Sequence, residues 1–240
     1  MVSDLSAVVT GASSGIGKAI ALAIASAGGS LCLVGRDRDR LMAVAESCRL
    51  TARSVLAFQA DLNNDYALEE LTRYVEREFK SFNTLIHCAG IFTIGHFEKI
   101  SVAQLDLMYR TNVRAPYTLT QALLPLLKTQ KGQIVFINSS QALQASAKNA
   151  AYASTKHALR AIADSLRHEI NAEGIRVLSI YPGRTASPAM ESLYKAENQS
   201  YRPELLLQTG DVAQAVINAL QLPRSAEVTN IEMRPLIKSY

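Results

Sequence analysis

Tyr152 and Lys156 stand four residues apart in the stretch A-Y-A-S-T-K-H-A. Four residues is about one α-helical turn, so both side chains leave the same face of a helix. A phenol beside a fixed ammonium is an acid/base pair. An ordinary tyrosine titrates near pH ~10, and a nearby positive charge favours the phenolate. Bringing that value to about 7 takes about 4 kcal/mol of differential stabilisation. One partly screened lysine supplies some of it, and a cationic cofactor ring would supply the rest. Upstream, the apolar run G-Q-I-V-F-I-N-S-S ends in Ser139 and Ser140. Either hydroxyl could stand at the C-terminal end of a strand, where open α/β sheets bind ligands.

A second constellation lies at the start of the chain. The run A-V-V-T leads directly into T-G-A-S-S-G-I-G and then into a helical pattern. Gly11, Gly15 and Gly17 permit a tight turn and close approach of backbone to a diphosphate, with Ser13 and Ser14 between them. A helix starting near Ile16 offers unpaired N–H groups and a positive dipole end to that anion. The spacing is G-x-x-x-G-x-G, and its place between first strand and first helix is what favours a cofactor over a plain tight turn.

The elements that must position these groups alternate. Strand candidates fall at 7–10, 31–35, 54–60, 84–88, 133–138, 175–181 and 228–233, and helical stretches at 16–27, 38–53, 65–80, 102–128, 152–173 and 211–220. Leu68, Leu71, Val75 and Phe79 recur at helical spacing among charged residues. Strand–helix alternation predicts βαβ units, right-handed crossovers and a doubly wound parallel sheet of about seven strands, a three-layer Rossmann-type α/β fold. No repeat or linker divides residues 1–240, so a single domain is expected. The 184–210 stretch interrupts the rhythm and suits a lid over the site.

Composition bounds the function. The chain has 240 residues, 48% hydrophobic and 19% charged, with a formal net charge of +4. That is ordinary for a globular domain, and without a basic run or face it argues against nucleic acid as a partner. Cys32, Cys48 and Cys88 lack metal-ligand spacing, so no metal is expected and reduced thiols are. No apolar run approaches the ~20 residues of a membrane span, and the first residues carry no secretory pattern. A cytoplasmic address and no membrane association follow as expectations.

T-G-A-S-S-G-I-G, taken with Asn112, Ser139, Tyr152 and Lys156, resembles the short-chain dehydrogenase/reductase family in its short single-domain branch. The likeness runs from the glycine turn to the last strand. It implies an oxidoreductase that interconverts a carbonyl and an alcohol by hydride transfer, with Tyr152 as acid or base. Family spacing places the catalytic serine at Ser139, thirteen residues before Tyr152. Lys156 would lower the tyrosine pKa and hold the nicotinamide ribose. Asn112 would bend its helix and support a water leading to Lys156.

The same resemblance assigns further cofactor contacts. Asp61 and Leu62 match the pair that meets the adenine, while Asp65 reads as a helix cap. Cys88, Ala89 and Gly90 follow the fourth strand, Cys88 replacing an asparagine that would bridge backbone groups of the central strands. Pro182, Gly183, Thr185 and Ser187 match the turn beside the nicotinamide. Where NAD-preferring relatives carry Asp the chain has Gly35, followed by Arg36. Arg36, supported by Arg40, pairs with a 2′-phosphate, so NADP (NADPH) is favoured over NAD. Asp37 beside them would oppose that phosphate.

The substrate region should gather Phe92, Ile94, His96, Gln141, Leu143, Gln144 and Tyr194. That mixed apolar and amide lining suits a small neutral carbonyl or alcohol. The alternative on the same fold is a non-catalytic NADPH-binding sensor or scaffold. Relatives also form homodimers or homotetramers through their long helices, which is the expected assembly here.

Overall fold

Apolar runs too short for helices pair edge to edge, all parallel. In the computed structural model, which describes residues 4–79 and 82–237, the strands are β1 (Ser6–Thr10), β2 (Ser30–Gly35), β3 (Ser54–Gln59), β4 (Thr84–His87), β5 (Gln133–Ile137), β6 (Arg176–Pro182) and β7 (Asn230–Met233). They form one sheet in the order β3-β2-β1-β4-β5-β6-β7. The order reverses between β1 and β4, so a crevice opens at the C-terminal ends of those two strands. β1, β4, β5 and β6 are buried along their whole length, as covering on both faces requires.

Period-2 alternation splits the core into two layers. Ala7 and Val9 face a cluster built on α1 (Gly15–Ser26), α2 (Arg38–Arg49) and α8 (Thr209–Leu220). Val8, between them, faces the cluster of α3 (Asp65–Glu78), α5 (Ala115–Thr129) and α6 (Ala150–Ile170). Two further helices, α4 (Val102–Tyr109) and α7 (Pro188–Ala196), lie near the site. The expected fold class is therefore the observed one.

Two helix bounds change, and the 184–210 stretch has structure of its own. The helix predicted over 102–128 is interrupted by a π-helical turn at Arg110–Arg114. Pro116 carries no N–H, so the α-helical bond to the carbonyl of Asn112, four residues earlier, is missing. The 184–210 stretch contains α7, capped by Ser187, whose hydroxyl accepts from Met190 N at 3.2 Å. It is tied down by a parallel bridge between Thr185 and Leu207. The helix predicted over 38–53 stops at Arg49, because the N–H groups of Thr51 and Ala52 both turn back onto the Cys48 carbonyl. The predicted end of the 65–80 helix, Lys80, lies outside the described residues; Leu68, Leu71, Val75 and Phe79 are buried as their spacing requires.

Candidate active site

The glycine turn closes on the end of β4. Gly11 has φ +67°, and a Cβ there would sit 2.7 Å from the Ala89 nitrogen. A Cβ on Gly17 would run into the Gly11 carbonyl, so the first turn of α1 can approach β1 only as glycine. Ser14 occupies the N-cap of α1 without a side-chain capping bond. The first N–H groups of that helix are left for an anion.

These residues line a cavity of about 370 Å³ along the crevice. Its walls include the predicted Gly11, Ser13, Ser14, Gly15, Ile16, Gly17, Arg36, Asp61, Leu62, Cys88, Ala89, Gly90 and Ser187. Sequence reasoning missed Val34, Ile91, Thr111 and Ile137, which also line it. These residues carry no motif; Val34, Ile91 and Ile137 are marked only by their places at strand ends, and Thr111 by its place in the π turn. Pro182, Gly183 and Thr185 stand beyond the lining. Gly183 N bonds the Met233 carbonyl at 2.8 Å, and the Thr185 hydroxyl donates to the Gly183 carbonyl at 3.0 Å.

At one end of the cavity Arg36, Asp37 and Arg40 are all exposed. Asp37 is already engaged. Its carboxylate caps α2 by accepting from Arg40 N at 3.0 Å, and it pairs with Arg40 Nε at 3.2 Å. Arg40 is thus already paired with Asp37, the carboxylate expected to oppose a phosphate. Gln59 Nε2 donates to the Arg36 carbonyl at 3.0 Å and so steadies that backbone.

Near the adenine-side pair, Asp61 Oδ1 accepts from both Asn63 N at 3.1 Å and Asn63 Nδ2 at 3.0 Å. Asn64, not Asp65, caps α3, accepting from Tyr66 N and Ala67 N. Asp65 instead meets Arg114, which holds its carboxyl below the usual carboxylate range. Residue 64 can reach both first-turn N–H groups, whereas residue 65 is already helical.

Cys88 leaves the bridging function of an asparagine to a neighbour. The Thr10 hydroxyl accepts from Cys88 N and Ala89 N, both at 3.2 Å. The link between β1 and β4 therefore comes from the β1 side. Burial pushes the Cys88 thiol well above its usual range, so it is a poor nucleophile.

Beyond Gly90 lie the groups that could do chemistry. A Cβ on Gly90 would sit 3.8 Å from Lys156 Nζ and 3.4 Å from Asn112 Oδ1. Lys156 is buried, donates to the Ile137 carbonyl at 3.2 Å, and lies 5.8 Å from the Tyr152 ring centroid. Burial pulls its ammonium down to about 8, with Cys88 acting weakly the other way. Burial pushes the Tyr152 phenol up to about 12, and a hydrogen bond with Ser139 opposes that rise. The depression of the phenol expected from Lys156 is not what the protein alone produces; desolvation is the largest influence and the Ser139 hydrogen bond the one that opposes it. Phe92 meets the Tyr152 ring edge-on at 5.9 Å and walls the reacting side.

Asn112 sits in the π turn with both N–H donors of its amide engaged. Its Oδ1 accepts from Ile91 N at 2.9 Å, and Nδ2 donates to the Ile91 carbonyl at 2.8 Å and to Thr155 Oγ1 at 3.1 Å. Among the described residues no cluster of His, Cys, Asp and Glu could hold a metal, and no helix is long and apolar enough to cross a membrane.

The chain is similar to known proteins in sequence and fold. An uncharacterized oxidoreductase of Staphylococcus epidermidis is 33% identical over 96% of both chains. One from Staphylococcus aureus is 32% identical over 98% of this chain and 99% of its own. An alcohol dehydrogenase from the archaeon Thermococcus sibiricus, solved with 5-hydroxy-NADP, superposes with a TM-score of 0.87 at 26% identity over 98% of both chains. A short chain dehydrogenase from Burkholderia cenocepacia, solved with NADP, gives 0.84 at 28% identity over 96% of both. The short chain dehydrogenase family model matches residues 6–198. With the crevice, the glycine turn and the Ser139–Tyr152–Lys156 cluster in place, the chain belongs to the short-chain dehydrogenase family.

Proposed function

We propose that this protein is an NADP-dependent oxidoreductase that interconverts a small neutral ketone or aldehyde and its alcohol. The observation that carries this reading is the half-buried Tyr152 phenol, hydrogen-bonded with Ser139 and flanked by Lys156, whose Nζ lies beside Gly90 on the crevice wall. The glycine turn fits a dinucleotide, since side chains at Gly11 or Gly17 would collide with the backbone that shapes it. The N-terminus of α1 would take the diphosphate, Asp61 and Leu62 the adenine, and Arg36 with Arg40 the 2′-phosphate. Ala89, Gly90, Lys156 and Ser187 would border the nicotinamide half. Solved relatives at 25–28% identity are complexes with NADP or 5-hydroxy-NADP, in agreement with that charge pattern.

When bound, the nicotinamide supplies or accepts the hydride. Ser139 and Tyr152 donate hydrogen bonds to the carbonyl oxygen and stabilise the negative charge that builds there. In reduction the Tyr152 Oη–H passes its proton to that oxygen, and the phenol is re-protonated from solvent. In oxidation the phenolate removes the alcohol proton. The Lys156 ammonium stabilises the phenolate state of Tyr152 in either direction. Exposed Leu107, Tyr109 and Tyr117 on the α4–α5 face suit assembly into a homodimer or homotetramer.

The test is a panel of carbonyls and alcohols assayed with NADPH and NADH, repeated with Tyr152→Phe. Turnover by the parent and at least about 10³-fold less by the variant, with NADPH still quenching or shifting its fluorescence, is expected. NADPH binding with no turnover across the panel would instead identify a nucleotide sensor.

A further inference from the structure

The helix that carries Tyr152 and Lys156 begins at Ala150, so the phenol stands on its first turn. Helix starts fray unless capped. Here the N-cap residue, Asn149, makes no capping bond; its amide is spent on Ser146 and the Ala147 carbonyl. Something else must hold that turn still.

Thr155 is placed to do so. Its side chain is completely buried between the two reacting residues. The hydroxyl donates to the Tyr152 carbonyl at 2.7 Å and accepts from Asn112 Nδ2 at 3.1 Å. A threonine that only bonds back into its own helix is commonplace. This one also receives a bond from another element, so donor and acceptor are both committed. Through Asn112 the tie continues to both backbone groups of Ile91, next to Gly90 on the cavity wall and Phe92 against the Tyr152 ring. On the other side, Asn138 Nδ2 donates to the Lys156 carbonyl at 3.2 Å. The carbonyls of both reacting residues are thus gripped by side chains.

We propose that Thr155 is a positioning residue that fixes Tyr152 against the carbonyl-binding side of the site by tying its backbone to the π turn through Asn112. The inference rests on the reading of Tyr152 as acid and base. A displacement well under 1 Å at the helix start moves the phenol off the reacting oxygen, because productive geometry is narrow.

The test compares Thr155→Val, which keeps the shape and loses the hydroxyl, with Thr155→Ser, which keeps the hydroxyl. Thr155→Val should lower kcat about tenfold or more, leave NADPH affinity within about twofold, and remain folded by thermal melt. Thr155→Ser should restore kcat to within about twofold to threefold of the parent. A second readout needs no turnover. With tyrosine labelled by ¹³C at Cζ, and the Tyr152 signal assigned by its loss in Tyr152→Phe, the titration midpoint of this phenol should fall toward the ordinary tyrosine value in the valine variant and stay put in the serine variant. Parent-like kcat and midpoint in Thr155→Val, or equal impairment of both variants, would overturn the proposal. If Thr155→Val fails to fold, the serine variant decides it: an impaired serine variant counts against, a parent-like one for. A parent that binds NADPH but reduces no carbonyl would sink the activity reading, while the ¹³C titration would still decide the role of Thr155.

Discussion

The Lys156 ammonium lies 5.8 Å from the centroid of the Tyr152 ring and donates to the carbonyl of Ile137. Desolvation drives the lysine and the phenol in opposite directions, to about 8 and about 12. Around neutral pH both therefore hold their protons.

For the proposed carbonyl reduction, that pairing predicts a pH profile. Tyr152 remains an acid across the working range, while Lys156 loses its charge as pH rises through about 8. kcat/KM, which reports free-enzyme groups, should be flat near neutrality and fall about tenfold per pH unit above that value. Stopped assays from pH 6 to 10 check it, and a falling limb only above about 10 would exclude Lys156 as its source.

Arg36 should decide the cofactor. A charge-assisted pair with the 2′-phosphate is worth about 1.5–3 kcal/mol. Arg36→Ala should thus weaken NADPH about ten- to hundredfold and leave NADH nearly unchanged, as read by fluorescence titration. Equal losses for both cofactors would mean that Arg36 only supports the fold.

Gly17 allows no side chain. In Gly17→Ala the new methyl meets the Gly11 carbonyl, so the turn must open. Overpacking of this kind costs about 1–3 kcal/mol, and the diphosphate cradle is displaced with it. Melting temperature and NADPH affinity should fall together, whereas unchanged affinity would separate the turn from the cofactor.

His87 should give the fold an acid-sensitive step. It is buried, stacked on Phe136 at 5.0 Å and hydrogen-bonded with the Thr120 hydroxyl at 2.8 Å, and burial lowers its pKa to about 3. Between the ordinary value near 6.5 and about 3, the unfolded chain binds the extra proton. Stability is therefore complete above about 6.5 and is lost as pH falls through that window, by up to about 1.4 kcal/mol per pH unit. Urea midpoints at pH 7.5 and 5 should differ less in His87→Gln than in the parent.

Much of this was legible in residue order. Strand–helix alternation gave the sheet, since buried parallel strands read as short apolar runs and the helix of Leu68, Leu71 and Val75 declares its period. The cradle was legible because glycine is irreplaceable where backbones touch. What escaped had physical causes. Pro188 reads as a breaker, yet at the first position of a helix it is favoured, and Ser187 before it is the cap. The Thr10 bridge was hidden because the residue stands 78 positions from Cys88 and meets it only across the sheet. Asn112 was singled out for a bend, but the use of its amide on Ile91 and Thr155 depends on three segments meeting.

The π turn at Arg110–Arg114 has a consequence for chain length rather than chain chemistry. An α-helix advances about 100° per residue, so a turn that accommodates an extra residue resets the phase between α4 and α5. Deleting one residue there would rotate α4 against α5 by about 100° and swing either Asn112 away from Ile91 or Leu119 and Leu123 away from the core. Substitutions in this stretch are judged one side chain at a time, whereas an insertion or deletion is judged by a whole layer at once.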